Sequence, residues 1–152
     1  MELFQRLQGI KVLLVEDDQW IRDSLRRFFA NENCALMAVE TGEDALEIIR
    51  SNGCDIVITD YRLPGMDGLE FLKKAQRINT RFKKILLTAY MTEQVISEAF
   101  RLGVNEFIEK PFSMEDLEEA LVRVLEKKIA VNGHGPAKNN KVRGGLTTGG
   151  VP

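Results

Sequence analysis

The sequence predicts an α/β fold, a doubly wound parallel sheet with helices on both faces. Three observations carry this reading. Five short runs rich in Val, Ile and Leu alternate with five amphipathic runs of helical period. Strict strand–helix alternation implies right-handed crossovers, which lay helices over both sides of a parallel sheet. The strand runs are apolar nearly throughout, as in Val12-Leu13-Leu14-Val15, and such runs suit a sheet buried on both faces.

The elements follow in order. The first strand spans residues 11–15, and the helix after it places Ile21, Leu25, Phe28 and Phe29 at i, i+4, i+7 and i+8. The second strand spans 35–39. Thr41 with Asp44 marks the next helix start; Ala45, Ile48 and Ile49 form its inner face, and Gly53 suits its C-terminal left-handed residue. The third strand spans 56–59, and Leu69, Phe71 and Leu72 mark its helix less cleanly. The fourth spans 84–88, followed by Val95, Ala99 and Leu102 at helical spacing and then Gly103. The fifth spans 106–108. Ser113 with Asp116 opens the last helix, whose buried stripe is Leu117, Leu121, Val124 and Leu125.

Composition bounds the function. A chain of 152 residues is one domain, and 44% hydrophobic with 29% charged residues is ordinary for a globular protein. The net charge of −2 argues against direct nucleic-acid binding. The longest apolar run, residues 34–39, is too short to span a membrane. Residues 1–9 contain Glu2 and no apolar segment, so they do not read as a signal peptide. Cys34 and Cys54 stand alone and the single histidine is His134, so no zinc pattern can be drawn; two unclustered thiols point to a reducing, cytoplasmic setting. Residues 131–152 hold six of the twelve glycines, three basic residues and no acid. They read as a flexible tail or linker, and residues 1–130 as the domain. Because His134 falls in that tail, a histidine-based mechanism is set aside.

Functional crevices of open α/β sheets lie beyond the carboxyl ends of the strands. There the first strand delivers Glu16, Asp17 and Asp18, the third Asp60, the fourth Thr88, and the fifth Lys110 with Pro111. Only the second offers nothing comparable. Singly, each has a plain explanation: Asp17 or Asp18 could cap the helix beginning near Gln19, and Asp60 could be a turn residue. Together they define a narrow chemistry. Clustered carboxylates repel one another unless a cation joins them, and hard oxygen ligands suit Mg²⁺, with Mn²⁺ as the alternative. A carboxylate can attack phosphorus to form an aspartyl phosphate, while a lysine and a hydroxyl steady the equatorial oxygens.

At these residues the chain resembles the receiver domain of two-component response regulators. The resemblance runs through Val15-Glu16-Asp17-Asp18, Ile58-Thr59-Asp60-Tyr61-Arg62-Leu63-Pro64-Gly65-Met66-Asp67-Gly68, Leu87-Thr88-Ala89 and Phe107-Ile108-Glu109-Lys110-Pro111-Phe112. It implies a flavodoxin-like (βα)5 sandwich with strand order 2-1-3-4-5. It implies Asp60 as phospho-acceptor, with Asp17, Asp18 and the main-chain carbonyl of Arg62 joining it around Mg²⁺. Lys110 becomes the phosphate counter-ion, and the Lys110–Pro111 bond is expected to be cis. Thr88 and Phe107 become a switch pair, Phe107 standing where many members carry tyrosine. The implied donor is a histidine kinase or phosphotransfer protein. The chain would then be a phosphorylation switch, catalysing only its own phosphoryl transfer and hydrolysis. The implied output face is the fourth predicted helix, fifth strand and fifth predicted helix. It would address a downstream effector or an output domain outside these residues. Arg62 and Tyr90, each two residues beyond a site residue, are expected to overhang the phosphoryl group and lengthen its lifetime.

Three rival readings accompany this one. A docking module that is never phosphorylated would keep the same fold. A flavin or nucleotide binder would carry a glycine-rich turn where Glu16-Asp17-Asp18 stands. A phosphatase with an aspartate nucleophile would carry Asp-x-Asp after the first strand.

Overall fold

The computed structural model describes residues 2–126. The boundary expected after residue 130, the tail and His134 lie outside them. The chain opens with a short helix, α1 (Glu2–Arg6), that the sequence reading did not include. Then β1 (Val12–Val15), α2 (Gln19–Asn31), β2 (Leu36–Val39), α3 (Gly42–Asn52), β3 (Ile56–Asp60), α4 (Gly68–Ile78), β4 (Lys83–Thr88), α5 (Glu93–Arg101), β5 (Glu106–Glu109) and α6 (Met114–Glu126) alternate without interruption. The strands form one parallel sheet in the order β2-β1-β3-β4-β5, as expected. No helix among the described residues is long and apolar enough to cross a membrane.

Side chains alternate across a strand, so each apolar run feeds two cores. Val12 and Leu14 pack with Ile56, Ile58, Ile85 and Leu87 beneath α2 and α6, where Leu25, Phe29, Leu117, Leu121 and Val124 are buried. Leu13, Val15, Val57 and Leu86 face the other way, against Ala45 and Ile49 of α3, Leu69, Phe71 and Leu72 of α4, and Val95 and Ala99 of α5. Helix α1 joins the first core. Leu3, Phe4 and Leu7 are buried, and the Phe4 ring meets Phe28 and Phe29 edge-on at centroid distances of 5.3 and 6.1 Å. Five residues cannot hold a helix alone in water, so this burial sustains it. The spacing of Leu3, Phe4 and Leu7 is the one sequence trace it leaves.

The helix ends behave as their residues dictate. Thr41 Oγ1 accepts the Asp44 N–H at 3.1 Å, and Ser113 and Asp116 form a reciprocal capping box at 3.0 Å each way. Gly53 and Gly103 follow α3 and α5 with φ of +73° and +80°. Asp67 caps α4, accepting from the Glu70 N–H at 2.8 Å. Both cysteines are free and buried.

Candidate functional site

Register places the site. Val15 lies opposite Thr59, Asp60 opposite Leu87, and Thr88 opposite Glu109. The residues just past β1, at the end of β3, at the end of β4 and just past β5 therefore share one edge of the sheet.

Asp60 ends β3 and is 5% exposed. Lys110 follows β5 across a cis Lys110–Pro111 bond, and its Nζ lies 3.1 Å from Asp60 Oδ2 and 3.0 Å from Glu16 Oε1. Glu16 is fully buried. Its Oε2 accepts the Asp18 N–H at 3.1 Å, while its Oε1, which receives no directional hydrogen bond among the described residues, faces the Lys110 ammonium as an ion pair. Glu16, Asp17 and Asp60 each bring a carboxylate oxygen to within 4.8 Å of the others.

One ammonium thus serves a cluster of three acids. Burial, and then the neighbouring Asp60, push the Glu16 carboxyl from 4.5 up to about 7, against the opposing pull of Lys110 and the Asp18 N–H. Burial pulls the Lys110 ammonium down, but Glu16 and Asp60 outweigh it and its net shift is upward. Three hard oxygens at one point with a surplus of negative charge can hold a divalent cation.

The acid pair differs from the expectation by one residue. Asp18 does not join the cluster: its Oδ1 accepts the N–H groups of Trp20 and Ile21 at 2.8 and 3.3 Å as the N-cap of α2. Glu16 stands in its place. The reason is where the elements stop: β1 ends at Val15, so the next side chain turns inward, while α2 begins at Gln19 and engages the acid before it.

Thr88 is fully buried at the end of β4, and its Oγ1 accepts the Tyr90 N–H at 2.8 Å. Phe107 lies opposite Leu86 in register and is half-buried against the second core. Arg62 and Tyr90 are exposed and meet each other, the guanidinium carbon lying 4.5 Å from the Tyr90 ring centroid. The Tyr61 ring lies 6.4 Å from Tyr90.

Two features have no counterpart in the sequence reading. A Cβ on Gly68 would lie 2.2 Å from the Asp60 carbonyl oxygen, so only glycine lets α4 approach the backbone beneath Asp60. The second strand does contribute: Glu40, just past β2, accepts from Arg22 Nη2 at 3.3 Å, and Arg22 Nη1 donates to the Glu16 carbonyl at 2.8 Å. The Gly68 requirement is foreshadowed by its place in Asp67-Gly68; the Arg22 link leaves no local signal.

The chain matches the family described as response regulator receiver domain over residues 12–122. It is 33% identical over 118 residues to sporulation initiation phosphotransferase F of Bacillus subtilis, covering 78% of this chain and 95% of that protein. It is 36% identical to transcriptional regulatory protein FlgR of Helicobacter pylori, covering 79% of this chain and 30% of that protein. Against DNA-binding transcriptional regulator NtrC of Escherichia coli the identity is 33%, covering 78% of this chain and 24% of that one. The chain therefore spans nearly all of the first relative and under a third of the other two. Among solved structures, the non-phosphorylated HemR receiver domain of Leptospira biflexa superimposes with a TM-score of 0.72 at 28% identity, covering 83% of this chain and 99% of that one.

Proposed function

This chain belongs to the family of response regulator receiver domains, and from that premise we propose that Asp60 accepts a phosphoryl group from the phosphohistidine of a histidine kinase or phosphotransfer protein. The observation that carries the proposal is the buried Asp60 carboxylate, 3.1 Å from Lys110 Nζ and clustered with Glu16 and Asp17. An Asp60 oxygen attacks phosphorus, the phosphorus–nitrogen bond breaks, and the donor imidazole leaves with the electron pair. Lys110 neutralises a phosphoryl oxygen. The Thr88 hydroxyl, whose oxygen accepts from Tyr90, keeps its own proton to donate to another. Glu16, Asp17, Asp60 and the main-chain carbonyl of Arg62 are the proposed holders of Mg²⁺, which supplies charge neutralisation at the phosphoryl oxygens when bound.

Phosphorylation adds negative charge beside Thr88 and shifts an existing equilibrium at the face of α5, β5 and α6, with Phe107 following Thr88. That face is the proposed contact with a downstream effector or output domain. The Arg62–Tyr90 pair ties the loop after Asp60 to the loop after Thr88 and is proposed to shield the acyl phosphate from water. The setting is proposed to be the cytoplasm.

The test is intact-mass measurement after incubation with acetyl phosphate and Mg²⁺. Wild type gains one phosphoryl group and Asp60→Asn gains none. A wild type that stays unmodified, with either acetyl phosphate or a phosphohistidine donor, leaves a protein-docking module in place of a phosphorylation switch.

A further inference from the structure

We propose that Arg22 is a positioning residue that sets the divalent-cation affinity of the acid cluster by fixing the backbone of Glu16. The inference rests on the Mg²⁺ reading above. Arg22 is 8% exposed, on the first turns of α2. Its guanidinium does not touch the clustered carboxylates through any hydrogen bond or ion pair of the described residues. One arm instead donates to the Glu16 carbonyl at 2.8 Å, and the other reaches Glu40 at 3.3 Å.

The Glu16 main chain is therefore held from two sides. Its N–H donates to the Val39 carbonyl at 3.0 Å, which anchors it to β2. Its carbonyl is held by Arg22, whose own N–H donates to the Asp18 carbonyl at 3.1 Å. Residues 16–18 supply two of the three clustered carboxylates and the cap of α2, so a small drift of this loop moves Glu16 and Asp17 together. Mg²⁺ requires near-octahedral geometry with short bonds and tolerates such drift poorly. Groups that orient metal ligands from behind change affinity by about 10–100-fold when removed.

Arg22 suits this task by shape rather than charge. Glu40 offsets its charge, and the Glu40 side chain is 62% exposed while that of Arg22 is only 10% exposed. A planar fork can hold acceptors on two separate loops at once, and an ammonium cannot reproduce that geometry. Charge and geometry predict opposite results: removing a nearby cation strengthens Mg²⁺ binding, whereas releasing the Glu16 carbonyl weakens it.

Mg²⁺ titration followed by fluorescence separates them. Trp20, the sole tryptophan, sits in the first turn of α2, two residues from the capping Asp18. R22K keeps the charge and loses the fork; R22M loses both. Both are expected to weaken Mg²⁺ binding about tenfold, and Glu40→Gln, which leaves the bond to Glu16 intact, to weaken it less than R22K. Circular dichroism verifies that each titrated variant is folded, and R22K decides if R22M is not. Wild-type affinity in R22K, tighter binding in R22M, or a larger loss in Glu40→Gln than in R22K overturns the proposal. Those results leave the metal reading standing if wild type binds Mg²⁺. A wild type that does not bind Mg²⁺ overturns both.

Discussion

Replacing Glu16 with glutamine should stabilise the metal-free protein, and the gain should depend on pH. Glu16 is fully buried and its carboxyl is raised from 4.5 to about 7, by burial first and by Asp60 second. A group raised in the folded state binds its proton more tightly there than in the unfolded chain. Between pH 4.5 and 7 the folded state therefore holds more protons, and stability falls as pH rises. At about 1.4 kcal/mol per pH unit, the loss reaches about 3 kcal/mol above pH 7. Domains of this size have a total stability of only about 5–15 kcal/mol, so the effect is a large share.

Glutamine mimics the protonated acid and keeps an oxygen for the Asp18 N–H, which donates to Glu16 at 3.1 Å in wild type. The assay is urea denaturation of both proteins in EDTA from pH 4.5 to 8. Ionisable groups remote from the cluster are common to both proteins and cancel in the difference. The two midpoints should nearly coincide at pH 4.5, and the variant should lead by about 1–2 M urea at pH 8. Mg²⁺ should restore much of the wild-type deficit and do less for the variant. A difference that stays constant across this range would refute the reasoning, because Glu16 would then ionise as readily inside the fold as outside it.

The other predictions concern the backbone beneath Asp60, the amino-terminal helix and the rim. Gly68→Ala places a Cβ against the Asp60 carbonyl at 2.2 Å; phosphorylation by acetyl phosphate should slow sharply and the urea midpoint should fall, the close approach having no flexible side chain to yield. Phe4→Ala removes a ring that is 4% exposed and in edge contact with Phe28 and Phe29; it should cost about 3 kcal/mol by denaturation while leaving the Mg²⁺ affinity unchanged. Tyr90→Ala removes the surface on which Arg62 rests; acyl-phosphate decay, followed by loss of the phosphorylated mass, should accelerate, and an unchanged rate would remove Tyr90 from the lifetime argument.

The legible and illegible parts of this molecule divide along a physical line. Sheet and helices are legible because apolar period is local: Val12-Leu13-Leu14-Val15 announces a strand with two buried faces, and Thr41 or Ser113 announces a helix start, whatever the rest of the chain does. Asp60, Thr88 and Lys110 are legible for the same reason, each sitting at or just past the end of a readable strand. Helix α1 is not, since five residues carry too little period and depend on Phe28 and Phe29 for their burial. Nor is the Arg22 bridge, whose acceptors lie six and eighteen positions away along the chain.

The row Glu16-Asp17-Asp18 is the instructive middle case. Composition cannot say which two acids face Asp60, because all three lie in the loop between β1 and α2, where no strand or helix period fixes the direction of a side chain. The start of α2 decides it. A helix beginning at Gln19 leaves orphan N–H groups at Trp20 and Ile21, and the residue before it must satisfy them. Asp18 is thereby committed to the cap, and only Glu16 and Asp17 remain for the crevice. Glu16 has the longer side chain, which reaches the Lys110 ammonium at 3.0 Å while its other oxygen turns back to the Asp18 N–H. The same carboxylate thus joins the cluster and braces the capping residue, so Glu16→Asp, with its shorter reach, cannot serve both contacts without moving the loop.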